Sequence, residues 1–257
     1  MSTVTTNQPL GTPTWIDLGV PDLDAAKAFY EALFGWRYET APAERGHYTT
    51  CLLDDGRRVG ALAPQAEPSD VTYWNVYLAT PDCDATVARA VAAGASVDFG
   101  PDDLGDLGRM AALRDPDGLP FALWQGREHV GCGAVNEPAA LLRNDLVVPD
   151  AARAREFYPA VFDFTLDVNE FLGDDDFTFL RRPDGHEVGG IIGDPDVRRP
   201  GWDVLFQVES ADESVERVLA AGGSVVTPAH DMPYGRLATV ADPFGTELSL
   251  GQTIAQH

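Results

Sequence analysis

Lysine is nearly absent from this chain of 257 residues: Lys27 is the only one, and the other basic residues are arginines. With 18 Lys and Arg against 41 Asp and Glu, the formal net charge is −23. A surface of that sign repels phosphate backbones, so no nucleic acid is expected among its partners. Long apolar runs are missing too. No stretch approaches the roughly 20 residues that span a bilayer, and the start, "MSTVTTNQPLGTP", lacks the basic and apolar segments of a secretory leader. No membrane partner is expected, and the expected location is cytoplasmic. Cysteine is scarce. Cys51, Cys83 and Cys132 are odd in number and show no CxxC spacing, which excludes a disulfide framework and a cysteine zinc site. No P-loop, GxSxG, HExxH or Rossmann fingerprint stands in a convincing context.

What is present is a repeat. "VPDLDAAKAFY" from Val20 returns as "VPDAARAREFY" from Val148, 128 residues on, and the same offset carries Trp74 onto Trp202. "PDDLGDLGRMAALRDPDG" from Pro101 faces "PAHDMPYGRLATVADPFG" from Pro228 at an offset of 127. Tandem domains follow, which we place at 1–127 and 140–257 with a connection at 128–139. A finer repeat of 60 residues sets "PDLDA" at Pro21 against "PDCDA" at Pro81, and "PDAARA" at Pro149 against "ESADES" at Glu209. Each copy follows an alternating strand and opens a helix, with Asp near the start as a plausible N-cap. The helices end near Gly35, Gly94, Asp163 and Gly222. Strand-like pieces joined by "DDG", "DPDG", "PDG" and "DPFG" turns follow each helix. The unit is β-α-β-β-β, four times over.

In its strand–"PDLD"–"FY"–"LFGW" openings and its "DPDG" and "DPFG" closings, the chain resembles the vicinal oxygen chelate superfamily over nearly its whole length. That family includes glyoxalase I, extradiol dioxygenases, fosfomycin-resistance enzymes and bleomycin-binding proteins. The resemblance implies an α+β fold of four βαβββ modules paired into two tandem glyoxalase-like domains, each a curved mixed sheet around a cavity. In the family's metalloenzymes, the first and last strands of each module give one ligand each to a divalent ion. Carried onto this sequence, the first-strand places are Trp15, Asn75, Arg143 and Asp203. The last-strand places are about Ala61, Ala122, Gly190 and Ser249. Trp, Ala and Gly bring no ligating side chain and a charged Arg cannot ligate, so neither metal nor other cofactor is expected.

Strand alternation then populates two hollows. Trp15, Asp17, Asn75, Tyr77 and Trp124 line the first, with Ile16, Leu18 and Val20 facing the helices. These aromatic side chains either bind a ligand or simply fill the space left by the ion. Arg143, Asp145, Asp203, Leu205 and Ser249 line the second. There Arg143 either anchors a carboxylate or phenolate or forms an internal ion pair with Asp203 or Asp145. His230 and Tyr234, in a loop that in this family often covers the cavity, are with Asp203 the candidate catalytic groups.

The expected function is metal-independent binding of a small natural product or metabolite, aromatic or anionic, for resistance or sequestration. The alternatives are a metal-independent isomerase, lyase or cyclase of secondary metabolism, and a metalloenzyme with non-standard ligands. Both a monomer and a homodimer are compatible with a chain that already carries its module pairing internally.

Overall fold

A computed structural model of the chain describes residues 2–65, 72–168 and 176–253. After a short β1 (Ser2–Thr3), the first module comprises β2 (Pro13–Val20), α1 (Leu23–Phe34), β3 (Arg37–Thr40), β4 (Thr49–Leu52) and β5 (Arg58–Pro64). The second comprises β6 (Trp74–Ala79), α2 (Cys83–Ala92), β7 (Ser96–Asp103), β8 (Gly108–Arg114) and β9 (Pro120–Gly126). A two-residue β10 (Ala134–Val135) leads to β11 (Leu141–Val148), α3 (Ala152–Phe162), β12 (Thr165–Val168), β13 (Asp176–Arg181) and β14 (Glu187–Gly193). The last module is β15 (Gly201–Gln207), α4 (Ala211–Ala220), β16 (Ser224–Met232), β17 (Gly235–Ala241) and β18 (Glu247–Thr253).

The helices start and stop where their terminal residues satisfy the free backbone groups. Asp22 and Asp82 accept from the amides of Ala25 and Ala85 at 3.0 Å, and Ser210 accepts from Glu213 at 3.3 Å. The third helix has no side-chain N-cap of this kind; Asp150 instead accepts from the Ala152 amide at 3.0 Å. Gly35 and Asp163 close α1 and α3 in the left-handed conformation.

Each half forms one mixed sheet. The first runs β3-β4-β5-β2-β6-β9-β8-β7, and the second runs β12-β13-β14-β11-β15-β18-β17-β16. Modules therefore pair within each half, through β2 against β6 and β11 against β15, both antiparallel. The extra residues Thr14 and Leu142 break the register just before Trp15 and Arg143, at corresponding points of the two halves. The connecting segment is not a free linker. Its β10 pairs with β11, and β1, although N-terminal, pairs with β10 and so belongs to the second sheet.

The alternation expected for β2 holds. Ile16, Leu18 and Val20 enter the large apolar core, and Trp15 lies in a smaller, separate cluster. That large core is shared: α1 packs on α4, α2 packs on α3, and its buried residues come from both halves. Two equivalent polar contacts cross the seam. Tyr30 donates to Asp242 at 3.1 Å, and Tyr158 donates to Asp115 at 3.2 Å. Asp115 and Asp242 are the first residues of the "DPDG" and "DPFG" turns. Each also accepts two backbone amides of its own turn, at 2.8 to 2.9 Å. One carboxylate thus shapes a hairpin and ties the halves together.

Because the core is common, both halves should unfold in one transition. Tyr30→Phe and Tyr158→Phe should each lower stability by about 1–2 kcal/mol. Tryptophan fluorescence, reporting mainly on the first half, and far-UV circular dichroism should shift together in denaturant.

Candidate functional site

The two concave faces differ although their backbones correspond. In the first, Asp17 lies on β2 beside Asn75 on β6, and Trp15 lies beside Tyr77. Asp17 is buried and accepts from Tyr77 Oη at 2.7 Å, Asn75 Nδ2 at 2.8 Å and Tyr48 Oη at 3.0 Å. Trp15 Nε1 donates in turn to Tyr48 Oη at 2.8 Å. Burial raises the Asp17 pKa above its ordinary value, and the three donors oppose that shift. Trp15, Tyr77 and Trp124 are each less than a tenth exposed and pack with Ala61, Ala122 and Cys132.

The segment after β9 covers this cluster. The His129 ring meets Trp15 edge-on at 4.4 Å between centroids, its carbonyl accepts from Trp124 Nε1 at 2.7 Å, and Cys132 donates its amide to the Thr14 carbonyl at 2.8 Å. Gly131 permits the approach: at φ +107°, a Cβ there would lie 2.3 Å from the Thr14 carbonyl oxygen. Burial pushes the His129 imidazole down to about 4, with Arg58 adding to the effect. Trp15, Tyr77 and Trp124 are thus packed against one another beneath the covering segment.

The second face carries charge instead. Arg143 Nε reaches both oxygens of Asp145, at 2.7 and 2.8 Å, and its Nη1 donates to Glu187. The guanidinium lies 5.5 Å from the ring centres of both Phe177 and Phe179. Arg181, over Phe179 at 5.2 Å, pairs with Asp167 at 2.9 Å and with Glu187 at 3.6 Å. Arg143 therefore spends its charge on Asp145 and Glu187. The internal pair with Asp145 is the arrangement present, and no bond joins Arg143 to Asp203.

Asp203 stands directly opposite Asp145 across β11 and β15. Like charges facing each other on a sheet are unfavourable. Burial pushes the Asp203 carboxyl up to about 6; a hydrogen bond from Ser249 opposes the shift and the neighbouring Asp145 adds to it. The remaining candidates lie elsewhere. His230 is on the edge strand β16, three strand spacings along the sheet from β15, exposed, with Nδ1 3.0 Å from the Pro228 carbonyl. Tyr234 is in the β16–β17 turn and 54% exposed. The structure brings Arg143, Asp145, Asp203 and Ser249 onto one face and does not bring His230 or Tyr234 to them.

Glu187, Phe177 and Phe179 are the residues that sequence reasoning missed. The pairing of β13 with β14 slips at Val188, so that Leu180 faces Gly189 and Arg181 faces Glu187. This bulge defeats a count by twos. The repeated positions carried a signal: Trp15, Tyr77 and Trp124, which fill the first hollow, correspond to Arg143, Leu205 and Gly251.

The comparisons with known proteins agree with this architecture. The model of the Glyoxalase/Bleomycin resistance protein/Dioxygenase superfamily matches residues 12–123 and 138–250. The chain belongs to this superfamily. It is 38% identical over 247 residues to the putative glyoxylase CFP32 of Mycobacterium tuberculosis, covering 93% of this chain and 94% of that protein. It is 35% identical over 264 residues to the anthracycline biosynthesis protein DnrV of Streptomyces peucetius, covering 93% and 92%. Among solved structures, the Mn(II)-bound glyoxalase of Novosphingobium aromaticivorans aligns with a TM-score of 0.66 at 21% identity, over 96% of this chain and 83% of that one. The 2,3-dioxygenase LapB of Pseudomonas sp. KL28 aligns with a TM-score of 0.61 at 17% identity, over 95% and 93%. These two likenesses establish the fold alone.

The superfamily's metal does not fit the donors present. The first half offers Trp15, Asn75, Ala61 and Ala122 at the inherited places, and the second offers Arg143, Asp203, Gly190 and Ser249. Among the described residues, no three His, Cys, Asp or Glu side chains converge as ligands.

The contrast between the faces is open to measurement in both halves. Tyr77→Phe should destabilise the fold by about 1–3 kcal/mol, because buried Asp17 loses a donor; a denaturant midpoint measures it. Asp203, with a pKa raised from 3.8 to about 6, favours the folded state while protonated. That contribution is complete below the unfolded value and is lost as pH rises through the folded one. Asp203→Asn should therefore match the wild type near pH 4 and become the more stable protein by pH 7, as thermal melts across that range would show.

Proposed function

We propose that the protein binds a small aromatic natural product or metabolite on the concave face of its second half, without a metal ion. One observation carries the reading: the three large side chains that fill the first hollow are replaced in the second by Arg143, Leu205 and Gly251. That exchange removes three aromatic side chains, one of them in favour of a glycine, and it leaves polar groups beside apolar walls. A few placed polar groups among apolar ones are what a small-molecule site requires. The relatives named for anthracycline biosynthesis support a role in the metabolism of polycyclic aromatic compounds. The ligand-binding residues in this reading are Arg143, Asp145, Asp203 and Ser249, while Trp15, Asp17, Asn75, Tyr77 and Trp124 support the first half.

A second reading is a metal-independent isomerase, lyase or cyclase. Asp203 favours it, because a carboxyl held at about 6 is poised to take a proton near neutral pH. His230 and Tyr234 would have no contact with that proton from their outer hairpin.

Native mass spectrometry with 1-hydroxyanthraquinone tests the binding reading. It predicts one ligand per chain, and binding at least about tenfold weaker in Leu205→Tyr, which restores the bulk found in the first half. Binding of two molecules per chain, or no loss in Leu205→Tyr, would contradict the assignment to the second face.

A further inference from the structure

The seam between the halves carries two corresponding hollows, and an ion pair closes one that the other lacks. Under the 128-residue repeat, Arg89 on α2 corresponds to Arg217 on α4, and Asp163 after α3 corresponds to Gly35 after α1. Arg89 grips the Asp163 carboxylate with two nitrogens, at 2.6 and 3.1 Å, and donates to the Ala160 carbonyl at 2.9 Å. The cavity beside that pair, lined by Phe162 and Asp163, measures about 260 Å³. At the corresponding place Gly35 supplies no carboxylate, and a Cβ on it would meet no atom within 4 Å. Arg217 donates to the Ser214 hydroxyl at 2.7 Å and has no carboxylate partner among the described residues. It borders a cavity of about 440 Å³ between α1, α4 and the Pro138–Ala139 segment. The guanidinium fork that Arg89 uses on Asp163 is left for a guest at Arg217.

The rest of the lining decides which guest fits. Glu31, Glu209 and Glu213 border the same cavity and form no ion pair among the described residues, whereas Asp54 is held by Arg37 at 3.0 Å. One positive group therefore stands with three negative ones. A carboxylate without a cation would meet Arg217 but be repelled by the glutamates, and a cation without a carboxylate would be repelled by Arg217. A molecule with one carboxylate and two cationic groups matches both signs. Phe34 and Leu53 supply apolar surface for the methylenes that separate its charges. Arg217 and the three glutamates are exposed, so salt weakens the attraction.

We propose that the cavity at the α1–α4 seam binds a basic α-amino acid of the arginine or lysine class. Its carboxylate takes on Arg217 the place that Asp163 takes on Arg89, and its cationic groups face the glutamates. The site shares no lining residue with either concave face and does not rest on the reading of the second one.

Isothermal titration of the full chain at low ionic strength tests this with three probes. L-arginine should bind about tenfold or more tightly than agmatine, which lacks the carboxylate. It should also bind more tightly than L-norleucine, which lacks the side-chain cation. Gly35→Asp supplies the missing carboxylate from within the chain and should weaken L-arginine binding about tenfold or more. Asp163 already holds the corresponding left-handed position, so the end of α1 can accept this residue. Arg217→Gln should lower L-arginine to the affinity of agmatine or below it. Agmatine binding as tightly as L-arginine in the wild type, or L-arginine binding unchanged in Gly35→Asp, would overturn the proposal. L-norleucine binding as tightly as L-arginine would overturn the basic class, and failure of all three probes to bind would overturn the site.

Discussion

A carboxylate removed from water must be given hydrogen-bond donors or a cation, or else it takes up a proton. The two halves of this protein meet that requirement differently at corresponding places. Asp17 receives three donors from the protein, two of them tyrosines. Asp145 receives a guanidinium. Asp203, facing Asp145, receives the Ser249 hydroxyl and the Val204 backbone amide, with no cation paired to it among the described residues, and burial pushes its carboxyl up to about 6. What each concave face can do follows from how these three carboxyl groups are satisfied.

The duplicated backbone makes the comparison possible. The same bulge precedes Trp15 and Arg143 and turns both residues to the concave side. The same Tyr–Asp contact crosses the seam twice, so the halves hold one another in place through a shared core. With the scaffold fixed from outside, the inward positions can change without altering the fold. In the first half they are buried beneath the segment carrying His129 and Cys132. In the second they retain polar groups whose bonding is incomplete. At the inherited ligand places Trp15, Ala61, Ala122, Arg143 and Gly190 offer no ligating side chain, and a shared fold by itself does not assign a chemistry.

Much of the framework was legible in the sequence. The 128-residue and 60-residue repeats, the Asp caps and the alternation of β2 each rest on short-range rules that the tertiary structure leaves intact. The site was legible only in part. Arg143, Asp145, Asp203 and Ser249 do share a face, because they lie on central strands of regular register beyond the Leu142 bulge. Glu187 was hidden by the slip at Val188. The closing of the first hollow was hidden because a connection's path over a sheet is set by long-range contacts such as Cys132 with Thr14. The pairing of Asp115 and Asp242 with tyrosines across the seam was also invisible, since a "DPDG" motif by itself specifies only a turn. His230 looked promising as a titratable group in a loop, whereas it lies on an edge strand with its ring against a backbone carbonyl.

The central claim is that Asp203 is a buried carboxyl without a compensating cation among the described residues. Carbon-13 NMR of protein labelled at the aspartate side-chain carboxyl, with Asp203→Asn used to assign the resonance, measures its ionisation directly. The account predicts a midpoint near 6 in the free protein. A midpoint at the ordinary aspartate value near 3.8 would mean that a cation or further donors already satisfy the group, and the account of the second face would fail.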